Sequence, residues 1–239
     1  MARNEAARID RTLASLPAQM QRIVVDHQST DSTAAVAQDA GAAVFTRPFT
    51  GFVDARLFAL GQVRTAWTLM IDADEVLDQR LRSAILAACE DADGYYVRRN
   101  TFFCGKALRM WREERLLRLF RSDRATLAAS PAAGGGAQLH EHWHVTGAAR
   151  DLGGVLLHDS YPSRESYRKK FDEYTTIEAA AMPPASAASL LAAAAQAALR
   201  FAYLLALRGC LLDGWRGVYV AFFTALYRPA VLFKARRGR

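Results

Sequence analysis

The chain has 239 residues, enough to bury a full core as one large domain or as one domain with an appendage. Its formal net charge of +7 favours anionic partners, whether nucleic acid, a phosphorylated substrate or anionic lipid. Cys89, Cys104 and Cys210 are far apart and odd in number, which excludes a disulfide framework and a cysteine metal site and fits a reducing cytosol.

The opening Met1-Ala2-Arg3-Asn4-Glu5 is polar and unlike a signal peptide. Residues 4–16 have helical periodicity, with Ile9, Leu13 and Leu16 on one face. Arg22-Ile23-Val24-Val25-Asp26 is a β-branched run ending in an acid, which predicts a buried strand. A polar turn follows, in which Ser29, Thr30 or Asp31 can cap a helix over 33–40. Gly41 closes that helix, and 42–45 is a second short strand. Residues 49–62 read as a loop running into a helix.

Trp67-Thr68-Leu69-Met70-Ile71 then rises as an apolar run and breaks into Asp72-Ala73-Asp74-Glu75. Such a run is a buried strand that delivers its acids at a sheet edge, where open α/β sheets bind ligands. On an extended chain Asp72 and Asp74 point the same way, and paired carboxylates suit a hard divalent cation on phosphate oxygens. Alternatively, Asp74 and Glu75 simply favour the positive end of the next helix. Residues 81–89 are helical, 94–99 form a strand, and 100–106 make a hairpin-like turn around Gly105. Arg115-Leu116-Leu117-Arg118-Leu119-Phe120-Arg121 alternates basic and apolar residues, and 130–136 is a small-residue loop.

Alternating βα units up to Ile85 predict a parallel, doubly wound sheet. Strand signals dominate from 94 to about 157 and vanish after Ser163. Residues 163–182 are helical, Pro183-Pro184 breaks the helix, and two Ala/Leu-rich helices follow around 209–217. No stretch is cleanly apolar over the ~18 residues of a transmembrane span. Residues 190–207 are broken by Gln196 and Arg200, and 218–233 by Arg228 and Pro229, so both suit interfacial helices better.

Taken in order, Asn4-Glu5, Ile23-Val24-Val25-Asp26 with Ser29-Thr30-Asp31, the run from Trp67 to Glu75, Arg118-Leu119-Phe120-Arg121, His140-Glu141, and His158-Asp159-Ser160-Tyr161 with Tyr167, Lys170 and Tyr174 carry a resemblance. The chain resembles the family 2 glycosyltransferases, and more narrowly the bacterial branch that adds sugars to the lipopolysaccharide inner core. The resemblance covers nearly all of the chain. It implies an α/β fold, a nucleotide-sugar-binding, doubly wound mixed sheet of the glycosyltransferase A type, over 1–160. Residues 161–239 read as a helical tail, whose aromatic and basic residues suit attachment to an anionic membrane surface, or else a packed helical pair or dimer interface. Three departures stand out. The strand expected before the Asn-Glu pair is shortened in this sequence, so either the true start lies upstream or the sheet edge is weakened; Gln28 stands where glycine is usual, and Leu57 stands where an amide is common.

The implied reaction is inverting transfer of a hexose from a UDP-sugar, UDP-glucose first, to a lipid-linked glycan, the lipopolysaccharide core. The alternatives are another glycan, isoprenoid-linked or exopolysaccharide, or a non-catalytic sugar-nucleotide or membrane-binding module. The implied location is cytoplasmic and peripheral, on the inner face of the bacterial inner membrane. A nucleic-acid binder would explain the charge but not Asp72 and Asp74. A cation, Mg2+ or Mn2+, would steady the leaving diphosphate, and a base would take the acceptor's proton.

The resemblance places Asp74 on the metal as a DXD-motif ligand, and Asp72 on ribose, the metal or a metal-bound water. His158 would reach the diphosphate or the cation, or else is a core histidine. Glu5 and Asp26 would bind the nucleoside, though Asp26 can equally cap the next helix, and Asp31 reads as a structural cap. Glu141 is the implied base. Arg118 or Arg121 would bind the diphosphate bidentately, and Arg168, Lys169 and Lys170 offer further phosphate contacts or a solvated helix face. His140, His142 and His144 alternate like zinc ligands, but no fourth ligand is evident and surface histidines fit better. Aromatics beside basic residues in the last helices, Trp215, Tyr219 and Phe222 among them, suit an anionic headgroup layer or a packed helical pair.

Overall fold

Helix α1 (Ala6–Ser15) sets Ile9 and Leu13 one turn apart, and both are buried. They pack into a core with Val24, Leu77, Leu81, Tyr95, Leu119 and Leu156. The computed structural model describes residues 1–88, 92–112, 114–129 and 141–237. After α1, strand β1 (Ile23–Asp26) and strand β2 (Ala43–Thr46) pair in parallel, with helix α2 (Thr33–Asp39) as their crossover. On the opposite edge of β1 stands a single-residue parallel bridge, Ala2 to Asp26. The Ala2 N–H donates to Val25 O at 2.9 Å, and the His27 N–H donates to Ala2 O at 2.9 Å. That bridge occupies the place where the sequence predicts a shortened strand.

Helix α3 (Phe52–Gly61) leads to strand β3 (Trp67–Leu69), then a turn, strand β4 (Glu75–Leu77) and helix α4 (Gln79–Leu86). Asp78 caps α4 by accepting the Leu81 N–H at 2.6 Å. Strands β5 (Gly94–Phe103), β6 (Lys106–Ala107), β7 (Arg115–Arg121), β8 (Ala125–Ala129), β9 (Glu141–Val145) and β10 (Ala149–Tyr161) follow. The main sheet runs β3-β7-β5-β10-β4. β3 pairs with β7, β5 with β7 and β10 with β4, all antiparallel. The architecture is therefore α/β and mixed. β1 pairs in parallel with β2 and with the Ala2 bridge, whereas β3 pairs antiparallel with β7, because it takes its neighbour from a strand that returns rather than from a βα crossover. The expected turn at Gly105 is present: Cys104 and Gly105 both have positive φ, at 47° and 76°, and join β5 to β6.

Helices α5 (Arg164–Ala180), α6 (Ala187–Ala206) and α7 (Trp215–Arg237) complete the chain. A reciprocal Ser163/Ser166 capping box starts α5, and Ser186 caps α6 just beyond the proline pair. The chain divides into two compact units. Among the described residues, the first holds 1–88, 92–100, 114–129 and 141–158; the second holds 101–112 and 159–237. Within the second, Phe103 stacks on Tyr219 at 5.3 Å and meets Tyr167 edge-on at 5.4 Å, in a core with Leu108 and Val220. There a Cβ on Gly217 would lie 1.9 Å from Cys210 O, so only glycine lets α7 close on the 3-10 turn Cys210–Asp213.

Candidate active site

β3 ends at Leu69, and the chain turns through 70–74 before β4 begins at Glu75. The Glu75 N–H donates to Asp72 O at 3.1 Å, so the acids sit on a tight turn rather than on an extended strand. The predicted common direction of Asp72 and Asp74 does not follow, and the two find different neighbours. The turn is pinned on several sides. The Met70 N–H donates to Arg118 O at 2.8 Å, the Thr12 hydroxyl to Ala73 O at 2.8 Å, and the Asp72 N–H to Glu75 Oε2 at 2.9 Å.

Beneath the turn lies a buried charge network. Glu75 is 0% exposed and its Oε1 accepts from Arg118 Nη2 at 2.6 Å and from Arg99 Nη1 at 3.1 Å. Arg99 also forks onto Glu114, at 2.9 and 2.7 Å. Asp72 accepts from Arg56 Nη2 at 3.1 Å on Oδ1 and from Arg118 Nη2 at 3.2 Å on Oδ2. Burial alone would raise the Asp72 carboxyl, but Arg56 and then Arg118 hold it well below the usual carboxylate range. Asp74 Oδ2 lies 3.4 Å from His158 Nε2, and His158 adds to the field that keeps Asp72 ionised.

The motif residues near the N-terminus form a second assembly in the same unit. The Asn4 N–H donates to Ser29 Oγ at 2.9 Å, the Thr30 N–H to Asn4 Oδ1 at 2.8 Å, and the Glu5 N–H to Thr33 Oγ1 at 2.7 Å. Asp31 accepts from the Thr33 N–H at 3.0 Å and the Ala6 N–H at 3.2 Å, the structural role read for it from sequence. Asp26, 2% exposed, accepts both the N–H and the hydroxyl of Ser29. Glu5 Oε2 accepts from Arg8 Nε at 2.6 Å. Gln28 has φ +54°, the left-handed conformation that explains a glycine preference at its position.

The predicted site residues therefore fall into distinct groups. Asp72 and Arg118 meet, and Asp74 and His158 meet. Arg118, predicted to hold a diphosphate, is 5% exposed and its Nη2 is engaged by Glu75 and Asp72. A buried guanidinium between two carboxylates positions those acids. Lys170 belongs to the second unit, where its Nζ donates to Ser160 O and Oγ, each at 3.1 Å. His140 and the Glu141 side chain lie outside the described residues. His142 and His144 are exposed on β9 with buried Trp143 between them, as surface histidines should be.

Asp72, Asp74 and His158 do not form one ligand cluster. Among the described residues no three His, Cys, Asp or Glu side chains are grouped to hold a metal ion. Asp74 and His158 still offer an oxygen and a nitrogen at one place, which fits a cation whose remaining ligands are phosphate oxygens and water. Arg56, Arg99 and Glu114 escape a reading of the sequence. The one available hint is Arg56, a lone arginine on the otherwise apolar face of α3.

A cavity of about 320 Å3 lies between β1 and β3, lined by Leu13, Val24, Trp67, Leu69 and Leu119 and reaching Asp72 at one end. Its walls are mostly apolar, unlike the charged turn.

The match to the Glycosyl transferase family 2 model covers residues 1–141. The chain belongs to glycosyl transferase family 2. It is 32% identical over 187 residues to the lipopolysaccharide core biosynthesis glycosyltransferase LpsC of Rhizobium meliloti, a match covering 74% of this chain and 67% of that protein. It is 41% identical over 96 residues to an uncharacterized glycosyltransferase of Rickettsia felis, covering 39% of this chain and 34% of the relative. The match thus spans about a third of that relative's length. Among solved structures, glucosyl-3-phosphoglycerate synthase from Mycobacterium tuberculosis aligns at 17% identity and a TM-score of 0.44, over 74% of this chain and 73% of that one.

Proposed function

We propose that this protein is an inverting glycosyltransferase that moves a hexose from a UDP-sugar to a lipid-linked glycan of the lipopolysaccharide core. The observation that carries this reading is the turn 70–74, which presents Asp74 beside His158 while Arg56, Arg118 and Glu75 fix Asp72. A turn clamped by so many charges and hydrogen bonds is preorganised, which a site that stabilises a leaving diphosphate requires. Family membership and the likeness to LpsC support the reaction class and the acceptor class.

In this scheme Asp74 and His158 would hold Mg2+ or Mn2+, which would supply positive charge to offset that of the leaving diphosphate. Asp72, kept ionised by its arginines, accepts hydrogen bonds from the donor's ribose hydroxyls or from water. Asp26 and Glu5 line the nucleoside end. Glu141 takes the proton from the acceptor hydroxyl, whose oxygen attacks the anomeric carbon from the face opposite the diphosphate. One glycosidic bond forms, the carbon–phosphate-oxygen bond breaks, and UDP leaves. Lys170 offers a further phosphate contact. The protein works as a peripheral enzyme on the cytoplasmic face of the inner membrane.

The test is incubation of purified protein with UDP-glucose, Mg2+ or Mn2+, and lipopolysaccharide truncated in its inner core. A hexose mass increment on the lipid and matching UDP release are expected. Folded protein that releases no UDP from any UDP-hexose, with or without acceptor, overturns the reading.

A further inference from the structure

We infer that the turn joining α6 to α7 is the point at which the second unit enters a lipid surface, with its leucines and Trp215 in the headgroup layer of an anionic bilayer. This deepens the lipid-borne acceptor proposed above, and its test uses neither donor nor acceptor. The turn shows large apolar side chains to solvent: Leu207 is 76% exposed, Leu211 57%, Leu212 67% and Trp215 50%. Tyr203, on the last turns of α6, is exposed as well. Isolated exposed leucines are ordinary, but a run of them at one bend is a contiguous apolar patch that marks an interaction site.

The patch is built rather than frayed. Gly209 and Gly214 take positive φ, 69° and 64°, and bracket the 3-10 turn Cys210–Asp213. Gly217 lets α7 close on Cys210, and Cys210 itself packs with Leu204 and Ala221. Asp213 is 3% exposed and accepts the Arg109 N–H at 2.7 Å, which ties the turn to residues before β7. The leucines are exposed on a scaffold that holds them there.

The charges around the patch choose the partner. Arg216 and Arg164 lie over the Trp215 ring at 4.8 and 5.6 Å. Lys106 Nζ and Arg109 Nε stand 3.4 and 3.9 Å from Asp213 Oδ1, and both cationic side chains are more than two-fifths exposed. The acid of the turn is thus buried while its cations face outward. Glu165, beside Arg164, is the exposed acid nearest the rim in sequence. Exposed leucines beside an indole that meets Arg164 and Arg216, with Lys106 and Arg109 nearby, match the layering of an anionic membrane surface. A second copy of the chain fits less well, because a two-fold axis through the patch would bring like charges together.

Both α6 and α7 are long and apolar enough to cross a membrane by length and composition. Arg200 on α6, Arg216 and Arg228 on α7, and Pro229 within α7 favour an interfacial placement with the bend as its deepest point.

The experiment is co-sedimentation of the full-length chain with vesicles of phosphatidylcholine alone, or of phosphatidylcholine and phosphatidylglycerol in equal parts. Binding to the anionic vesicles, weak binding to the neutral ones, and loss at high salt are expected. Leu211→Ser combined with Leu212→Ser should lower the partition coefficient by about a hundredfold, because each buried leucine is worth about one tenfold step. Arg164→Gln should lower it about fivefold on anionic vesicles only. Circular dichroism confirms that each variant is folded; should the double variant not fold, Arg164→Gln and the salt series decide. The inference is overturned by a folded double variant that binds like wild type, by equal binding to both vesicle types, or by a dimer that the double variant dissociates.

Discussion

Arg118 Nη2 lies 2.6 Å from Glu75 Oε1, and the same nitrogen lies 3.2 Å from Asp72 Oδ2. One buried guanidinium thus joins the fully buried acid of β4 to the acid of the turn above it. A charge in such a place is tolerable only while its partners remain. Glu75→Gln should therefore cost about 3–5 kcal/mol of stability, the range for removing one partner of a buried pair. Denaturant unfolding followed by circular dichroism measures it. Arg118→Met should cost a comparable amount, and the double variant less than the sum of the two. Strict additivity would mean that the two residues act independently.

A second prediction separates Asp74 from this scaffold. Asp74→Asn leaves the arginine network in place, so its unfolding midpoint should stay close to wild type. Transfer should fall to background, and Mn2+ binding measured by calorimetry in the presence of UDP should weaken by at least tenfold. Chelator should inhibit the wild type reversibly. Full transfer in chelator, or unchanged Mn2+ affinity in Asp74→Asn, would remove the cation from this residue.

Much of the sheet is legible in the sequence because its strands carry a strong pattern. β7 matches the predicted 115–121 because Leu117, Leu119 and Phe120 must be buried between basic ends. β8 has no such pattern: Ala125–Ala129 is too small and uniform to show a period. β4 escapes because its first residue, Glu75, is a charge at a fully buried position, and only the convergence of Arg99 and Arg118 from other strands makes that tolerable. The same holds for the site. Asp72 and Asp74 announce themselves by type and spacing, but their separate directions depend on a turn that spacing cannot reveal. Which arginine serves a ligand and which serves a carboxylate is decided by contacts between residues far apart in the chain, as with Arg56 and Asp72.

The pH dependence follows from Asp72. Its folded-state carboxyl lies below the ordinary 3.8 because the pull of Arg56 and Arg118 exceeds the opposing effect of burial. A group depressed on folding adds stability above its unfolded value and loses it as the pH falls from there toward the folded one. Wild type should thus hold an advantage over Asp72→Asn at neutral pH that shrinks as the pH drops below 3.8. Paired thermal melts across that range measure it. A constant difference between the two proteins would show that the Asp72 charge is not what the arginines stabilise.

The last prediction concerns the base. An inverting transfer needs one proton acceptor on the acceptor side of the sugar. The acids proposed for the donor side are engaged already: Asp26 accepts twice from Ser29, Asp72 is held by two arginines, and Asp74 faces His158. Asp72 is moreover depressed by its arginines, which makes it a poor base for a hydroxyl. Glu141, which opens β9, is the base proposed above. General-base help is worth about a hundred- to ten-thousand-fold in rate. Glu141→Gln should lower turnover by about that factor while UDP affinity, read by calorimetry, stays nearly unchanged. His142→Gln, on the exposed face of the same strand, should be mild. Near-normal turnover of Glu141→Gln, under conditions where chemistry limits the rate, would hand the role to another group on the acceptor side. Loss of UDP binding in that variant would instead place Glu141 with the donor.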